Sequence, residues 1–143
     1  MELNPDVWGK WYWGFLHTIS INYPNYPNAV TKKMYYELIN NFPLFIPCQY
    51  ISNDFSKLIV SYPVSPYLDN RDSFIRWIHF IHNKINEKME KPVIPLNEFY
   101  INYYEQYKPK GIKFEEFNKI KQKIVYFMII ILIIFSIYYC YDK

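Results

Sequence analysis

Only three of the 143 residues are glycine, and no G-x-G-x-x-G run occurs. The chain therefore lacks the glycine turn that lets a backbone approach a pyrophosphate in a dinucleotide-binding βαβ unit. Cysteine is as scarce: Cys48 and Cys140 are the only two, too few for a disulfide framework. His79 and His82 stand three apart with no acidic or cysteine companion, so no metal site is expected. Neither sign of charge dominates. The net charge is +3 and no block of Lys and Arg stands out, which gives no footprint for nucleic acid. Internal repeats and low-complexity tracts are also missing. The first residues, Met1–Asp6, are acidic and Trp8–Ile21 is broken by polar residues, so no signal peptide is expected.

Apolar and aromatic residues are abundant, at 51% and 22% of the chain. Part of the excess is Ile124–Tyr141, which carries no charge over 18 residues. As a helix it is about 27 Å long, enough for a thin bilayer. Tyr126 and Phe127 at one end and Tyr138, Tyr139 and Tyr141 at the other fit the two interfaces. A buried core helix is the alternative, but a domain this small has little with which to cover so isoleucine-rich a run. Lys119, Lys121 and Lys123 precede the segment, and only Asp142 and Lys143 follow it. The expected topology is a single-pass, tail-anchored protein with its N-terminal domain in the cytoplasm. Cys48 and Cys140 then lie on opposite sides of the membrane, and no disulfide joins them.

Ahead of the span, the chain reads as five short helices. Asn4-Pro5-Asp6 is a helix start, and that helix runs to about Asn22, before Tyr23-Pro24. Asn28 caps a second from Ala29 to about Asn41, burying Met34, Tyr35, Leu38 and Phe42. After a break from Pro43 to Pro47, a third begins near Cys48 and reaches Ser61. Asp69 or Asn70 caps a fourth, Arg71–Pro92, whose apolar positions Phe74, Trp77, Ile78, Ile81, Ile85 and Met89 have helical spacing. A fifth is expected over Glu98–Tyr107, then a hinge at Pro109-Lys110-Gly111 and a basic amphipathic stretch from Phe114. Turn-length connections between short helices predict an all-α bundle. The expected division is a domain over 1–107, a basic linker over 108–123 and an anchor over 124–141.

Polar residues interrupt the apolar faces at a few places. His79, His82 and Asn86 break that of the fourth helix, and Asn83 stands beside them. Buried amides and imidazoles cost free energy unless each finds a partner, so this face is either wired into the core or meets a polar ligand. On the first helix, Gly9, Trp13 and His17 fall at i, i+4 and i+8. A ligand or another helix can come close at Gly9, and a tight helix–helix contact accounts for the stripe equally well. Cys48 opens the third helix, where unpaired N–H groups favour a thiolate; a buried structural cysteine is the alternative.

Taken in order, these residues resemble the FAD-linked sulfhydryl oxidases of the Erv/Alr family over roughly Pro5–Pro92. Gly9, Lys10, Trp13, Leu16, His17, Thr18, Tyr23 and Pro24 follow that family's opening pattern. Pro47 and Cys48 are similar to its redox segment. Trp77, His82, Asn83, Ile85, Asn86, Lys91 and Pro92 match its flavin signature. The resemblance implies a four-helix bundle with a short fifth helix around FAD, usually as a homodimer. It implies cofactor contacts from Gly9, Lys10, Trp13, His17, Tyr23, His82, Asn83, Asn86, Lys88 and Lys91. It also implies oxidation of dithiols to disulfides, with electrons passing through FAD to oxygen to give hydrogen peroxide. Thiol-containing client proteins or a dithiol shuttle would be the partners, and the membrane topology is most like that of relatives from large DNA viruses, on a virion or host internal membrane.

One departure bears on catalysis. The family's active pair is Cys-x-x-Cys, and here Cys48 is followed at the second position by Ile51. A lone thiol stores no intrachain disulfide, and isoleucine is no nucleophile. Two further family cysteines correspond to His79 and about Leu96. The expected function is accordingly an oxidase of impaired turnover. The alternatives are an inactive FAD-binding partner or scaffold subunit, an oxidase completed by a cysteine from another chain, and a helical membrane protein without cofactor.

Overall fold

The computed structural model describes residues 3–109 and 114–141, and is all-helical among them. Six α-helices follow one another: α1 (Pro5–Ile21), α2 (Ala29–Asn41), α3 (Gln49–Ser61), α4 (Arg71–Lys88), α5 (Leu96–Glu105) and α6 (Phe114–Tyr141). Short 3₁₀ turns at Phe42–Phe45 and Ser65–Tyr67 lead into α3 and α4. Three asparagines start helices as expected. Asn4 Oδ1 accepts from Asp6 N at 2.9 Å, Asn28 Oδ1 from Thr31 N at 2.8 Å, and Asn70 Oδ1 from Ser73 N at 2.9 Å. Each satisfies one of the backbone donors that a helix start leaves without a partner. Asp69 instead pairs with Lys32 of α2 at 2.6 Å.

Helices α1 to α4 enclose one core. Leu16, Tyr23, Phe55, Phe74, Trp77, Ile78, Ile81 and Ile85 are almost wholly buried in it. The polar ends of the two large aromatic residues are satisfied by loop carbonyls. Tyr23 Oη donates to Leu68 O at 2.8 Å, and Trp77 Nε1 donates to Tyr62 O at 3.0 Å. These bonds fix the two ends of the connection between α3 and α4 and leave neither polar group buried without a partner. Helix α5 is short and lays Phe99 against His17, the ring centroids 4.3 Å apart.

Several boundaries and faces differ from expectation. The fourth helix stops at Lys88 rather than Pro92, because Glu90 takes a left-handed conformation (φ 55°) and Lys91 N returns to Asn86 O at 2.8 Å. The fifth helix runs two residues earlier than expected. On α2, Ile39 is 0% exposed and Met34 51%. Tyr35 and Phe42 face inward as expected, with Tyr35 edge-on to Tyr23 and Phe74, and Ile39 takes the inward place expected of Met34.

Residues 1–101 form one compact unit and 102–143 a second. In the second, the basic stretch and the apolar run are one continuous helix, α6. Its segment Asn118–Tyr139 is long and apolar enough to cross a membrane, and none of it is buried within the protein. Lys110 and Gly111 of the expected hinge, and Asp142 and Lys143, lie outside the described residues, as does the side chain of Cys140.

Candidate functional site

A cavity of about 430 Å³ opens between α1, α3, α4 and the segment after α4. That is within the ordinary range of cofactor pockets, roughly 300–1,000 Å³. Helix α1 contributes Gly9, Lys10, Trp13 and Leu16; α4 contributes His82, Ile85 and Asn86; the segment beyond it contributes Lys91, Pro92 and Ile94. Phe42, Ile46, Ile51 and Phe55 close the apolar end. Trp13 and His82 stack at 4.0 Å with their planes 15° apart, giving the cavity a flat aromatic wall. On the solvent side, Lys91 Nζ meets Asp6 Oδ1 at 2.5 Å, and Lys10 stands on the same helix as Asp6. The lining is thus apolar and planar inside, with two lysines towards solvent.

Beneath His82 lies His17, with 2.9 Å between His17 Nε2 and His82 Nδ1. Burial, reinforced by the neighbouring histidines, pushes His17 down to about 3. Burial, with His79 and Lys91 nearby, pushes His82 down to about 4. Both rings are therefore neutral at pH 7, and one ring donates to the other. Among the described residues, His17 Nδ1 is buried with no hydrogen-bond partner.

Of the residues expected at the site, Gly9, Lys10, Trp13, His82, Asn86 and Lys91 come together around the cavity. His17 supports it from below. Three are placed elsewhere. Tyr23 is part of the core, its hydroxyl on Leu68. Lys88 reaches across to Asp54 of α3 at 2.6 Å. Asn83 turns to the backbone of Ile94, donating to its carbonyl at 2.9 Å and accepting from its N–H at 3.1 Å. Cys48 is the N-cap of α3, as expected, but its thiol is 0% exposed, so an exchange partner reaches it only if the site opens. Ile51, three residues on, faces the cavity. Tyr12 and Phe55 also line it without having been singled out, as do Leu16 and Ile85, which belong to the family pattern but not to the expected cofactor contacts. Tyr12 and Leu16 stand three and seven residues beyond Gly9, a helical spacing that marks the same face.

These residues fit a flat aromatic group with an anionic arm. Among the described residues, a Cβ built on Gly9 meets no atom within 4 Å beyond its chain neighbours and its own helix turn, so the packing of the chain itself does not require glycine there. Glycine instead leaves the cavity floor open to an occupant. No group of histidine, cysteine and acidic side chains suited to a metal ion occurs among the described residues.

Known proteins share this fold. The structure is similar to the yeast Erv1 core, with a TM-score of 0.63 and 27% identity over 74% of this chain and 85% of that one. The FAD-binding domain of Erv1 from Saccharomyces cerevisiae matches equally well, over 95% of its length. The mitochondrial FAD-linked sulfhydryl oxidase erv1 of Schizosaccharomyces pombe is 34% identical over 91 residues, 62% of this chain and 50% of that protein. The FAD-linked sulfhydryl oxidase of African swine fever virus is 30% identical over 107 residues, 75% of this chain and 87% of the viral one. The chain thus spans about half the length of its yeast relatives, at 50% and 49%, and most of the viral protein. The Erv1 / Alr family model matches residues 10–108, which takes in the cavity lining from Lys10 to Ile94, His17 beneath it and the Cys48–Ile51 turn. On that match, the chain belongs to the Erv1 / Alr family.

Proposed function

We propose that the cavity holds FAD and that the chain is a sulfhydryl-oxidase flavoprotein whose own dithiol is incomplete. Trp13, His82 and the apolar end would hold the ring system, and Lys10 and Lys91 would meet the diphosphate. FAD, when bound, supplies a two-electron acceptor that oxygen can reoxidise to give hydrogen peroxide. The residues decide how electrons reach it. Oxidation of two thiols to a disulfide releases two electrons and two protons, and the family's second cysteine supplies the thiol nearest the cavity. The observation that carries the reading is that this position is Ile51, whose side chain is part of the lining. Cys48 can form a mixed disulfide once exposed, since exchange needs one attacking thiolate, but cannot resolve it within the chain. Slow turnover follows, and the burial of Cys48 favours a second use of the same site, as an FAD-binding partner subunit in a membrane-associated disulfide-forming system.

The partners in either case are thiol-bearing client proteins or a dithiol shuttle. Val7, Trp11 and Phe15 form an exposed apolar stripe at four-residue spacing on α1, which supports pairing of two copies. Asn118–Tyr139 would anchor the protein, with Lys119, Lys121 and Lys123 holding residues 1–101 on the cytoplasmic side. The test is direct. Full-length protein purified in detergent should be yellow, with bound FAD identified after denaturation; a colourless, folded protein would overturn cofactor binding. Oxygen consumption with dithiothreitol should be at least tenfold faster in Ile51→Cys than in wild type, and equal rates would refute the role assigned to Ile51. Protection of the N-terminal domain from protease added to the cytosolic face of membranes would reverse the topology.

A further inference from the structure

The cavity has one wall without regular structure. Residues 91–95 lie between α4 and α5, and Lys91, Pro92 and Ile94 of this segment face the cavity. Two of its five residues, Pro92 and Pro95, have no N–H to give. Its ends are held by the neighbouring helices: Lys91 N donates to Asn86 O at 2.8 Å, and Phe99 N donates to Pro95 O at 2.9 Å. Between these ends, among the described residues, the hydrogen bonds that reach the segment come from two side chains of α4. His79 Nε2 donates to Ile94 O at 2.8 Å, and Asn83 Nδ2 donates to the same oxygen at 2.9 Å. Asn83 Oδ1 accepts from Ile94 N at 3.1 Å. The 3.3 Å between Asn83 Nδ2 and His79 Nε2 is the approach of two donors to one acceptor. Both polar groups of one backbone unit are thus taken up by residues one turn apart on one helix.

We propose that His79 and Asn83 are positioning residues that clamp Ile94 and so set the shape of the cavity wall without touching what the cavity holds. A segment with two prolines and no ladder partner has little else to choose one conformation from many. The clamp supplies that choice, at the residue whose side chain lines the cavity. It also reaches α5: the His79 ring lies 5.6 Å from Phe99, and Phe99 covers His17. Because the tie contains no sulfur, it holds at any thiol–disulfide poise, which suits a protein placed among thiol exchange reactions. Asn83 therefore serves the site from behind the wall, and Asn86, one turn nearer the cavity, serves it from within.

The consequence for cofactor affinity rests on the reading of the cavity as an FAD site; the clamp does not. The experiment is amide hydrogen exchange at Ile94 in the full-length protein in detergent, without added FAD, followed by FAD dissociation constants from flavin fluorescence. Asn83→Leu, which removes both partners at similar volume, should speed exchange at Ile94 at least tenfold. His79→Leu should do so by a smaller factor, and His79→Gln, whose amide nitrogen reaches the same point, should restore the wild-type rate. The FAD dissociation constant should rise about tenfold in Asn83→Leu and return towards wild type in His79→Gln. Should Asn83→Leu fail to fold, Asn83→Ala removes the same acceptor for Ile94 N and should likewise speed exchange at Ile94 at least tenfold. Wild-type Ile94 exchanging at the rate of an unstructured peptide, or exchange unchanged in the variants, would overturn the clamp. Wild type that shows protected Ile94 but binds no FAD would overturn the cofactor reading and leave the clamp standing.

Discussion

Acid should destabilise this protein well before its carboxylates are protonated. His17 and His82 are held neutral by burial, at about 3 and about 4 against 6.5 for the exposed ring. A group whose pKa is depressed by folding leaves the unfolded chain binding more protons. Stability is therefore complete above pH 6.5 and falls as pH drops towards the folded values. At pH 5 both rings are still neutral in the fold and almost fully protonated in the unfolded chain. Each ring then costs about 2 kcal/mol between pH 7 and pH 5, from 1.36 kcal/mol per pH unit below the unfolded pKa. The pair costs up to about 4 kcal/mol, a large share of the 5–15 kcal/mol typical of a folded domain. Ordinary carboxylates stay mostly ionised in that window, so the histidines dominate it. The assay is urea denaturation of the cofactor-free full-length protein in detergent, followed by tryptophan fluorescence at half-unit steps of pH. The midpoint should fall by on the order of 1–2 M between pH 7 and pH 5 for a slope of about 2 kcal/mol/M. His17→Gln should flatten that dependence by about half. A midpoint that holds steady or rises on acidification would show that the rings are not buried neutral.

Three further outcomes follow from single positions. Gly9→Ala should raise the stability of the cofactor-free protein by about 0.5–1 kcal/mol, because alanine is the better helix former and its Cβ meets, among the described residues, no atom beyond its chain neighbours and its own helix turn; it should also weaken FAD binding, and tighter binding by titration would contradict a cavity that uses the missing side chain. Glu90→Gly should stabilise by about 1 kcal/mol, since φ 55° carries a steric cost for glutamate that glycine escapes; a lower urea midpoint would refute it. Phe55→Ala should destabilise by about 3–5 kcal/mol, the cost of emptying a core position packed against Phe42 and Trp13; a loss below 1 kcal/mol would mean that the apolar end of the cavity collapses freely.

Much of the fold is legible in the chain because its signals are local. Asn4-Pro5, Asn28 and Asn70 start helices through bonds that span two or three residues. The prolines break them, and the uncharged run towards the C-terminus is apparent from composition alone. The stripe of Gly9 and Trp13, with His82 and Asn86 from the fourth helix, is likewise readable from periodicity. The expectation of a cysteine at the position of Ile51 comes from the resemblance to the family and not from periodicity. What the tertiary structure decided is which neighbour each polar side chain meets. Asn83 and Asn86 are three residues apart and share a helix face, yet one holds Ile94 and the other lines the cavity. Tyr23 and Lys88 find partners in Leu68 and Asp54, 45 and 34 residues away. Cys48 opens its helix as read, but only the packing of the bundle makes it 0% exposed. Periodicity sets an angle about a helix axis; what lies at that angle depends on segments distant in sequence, and there the local signal ends.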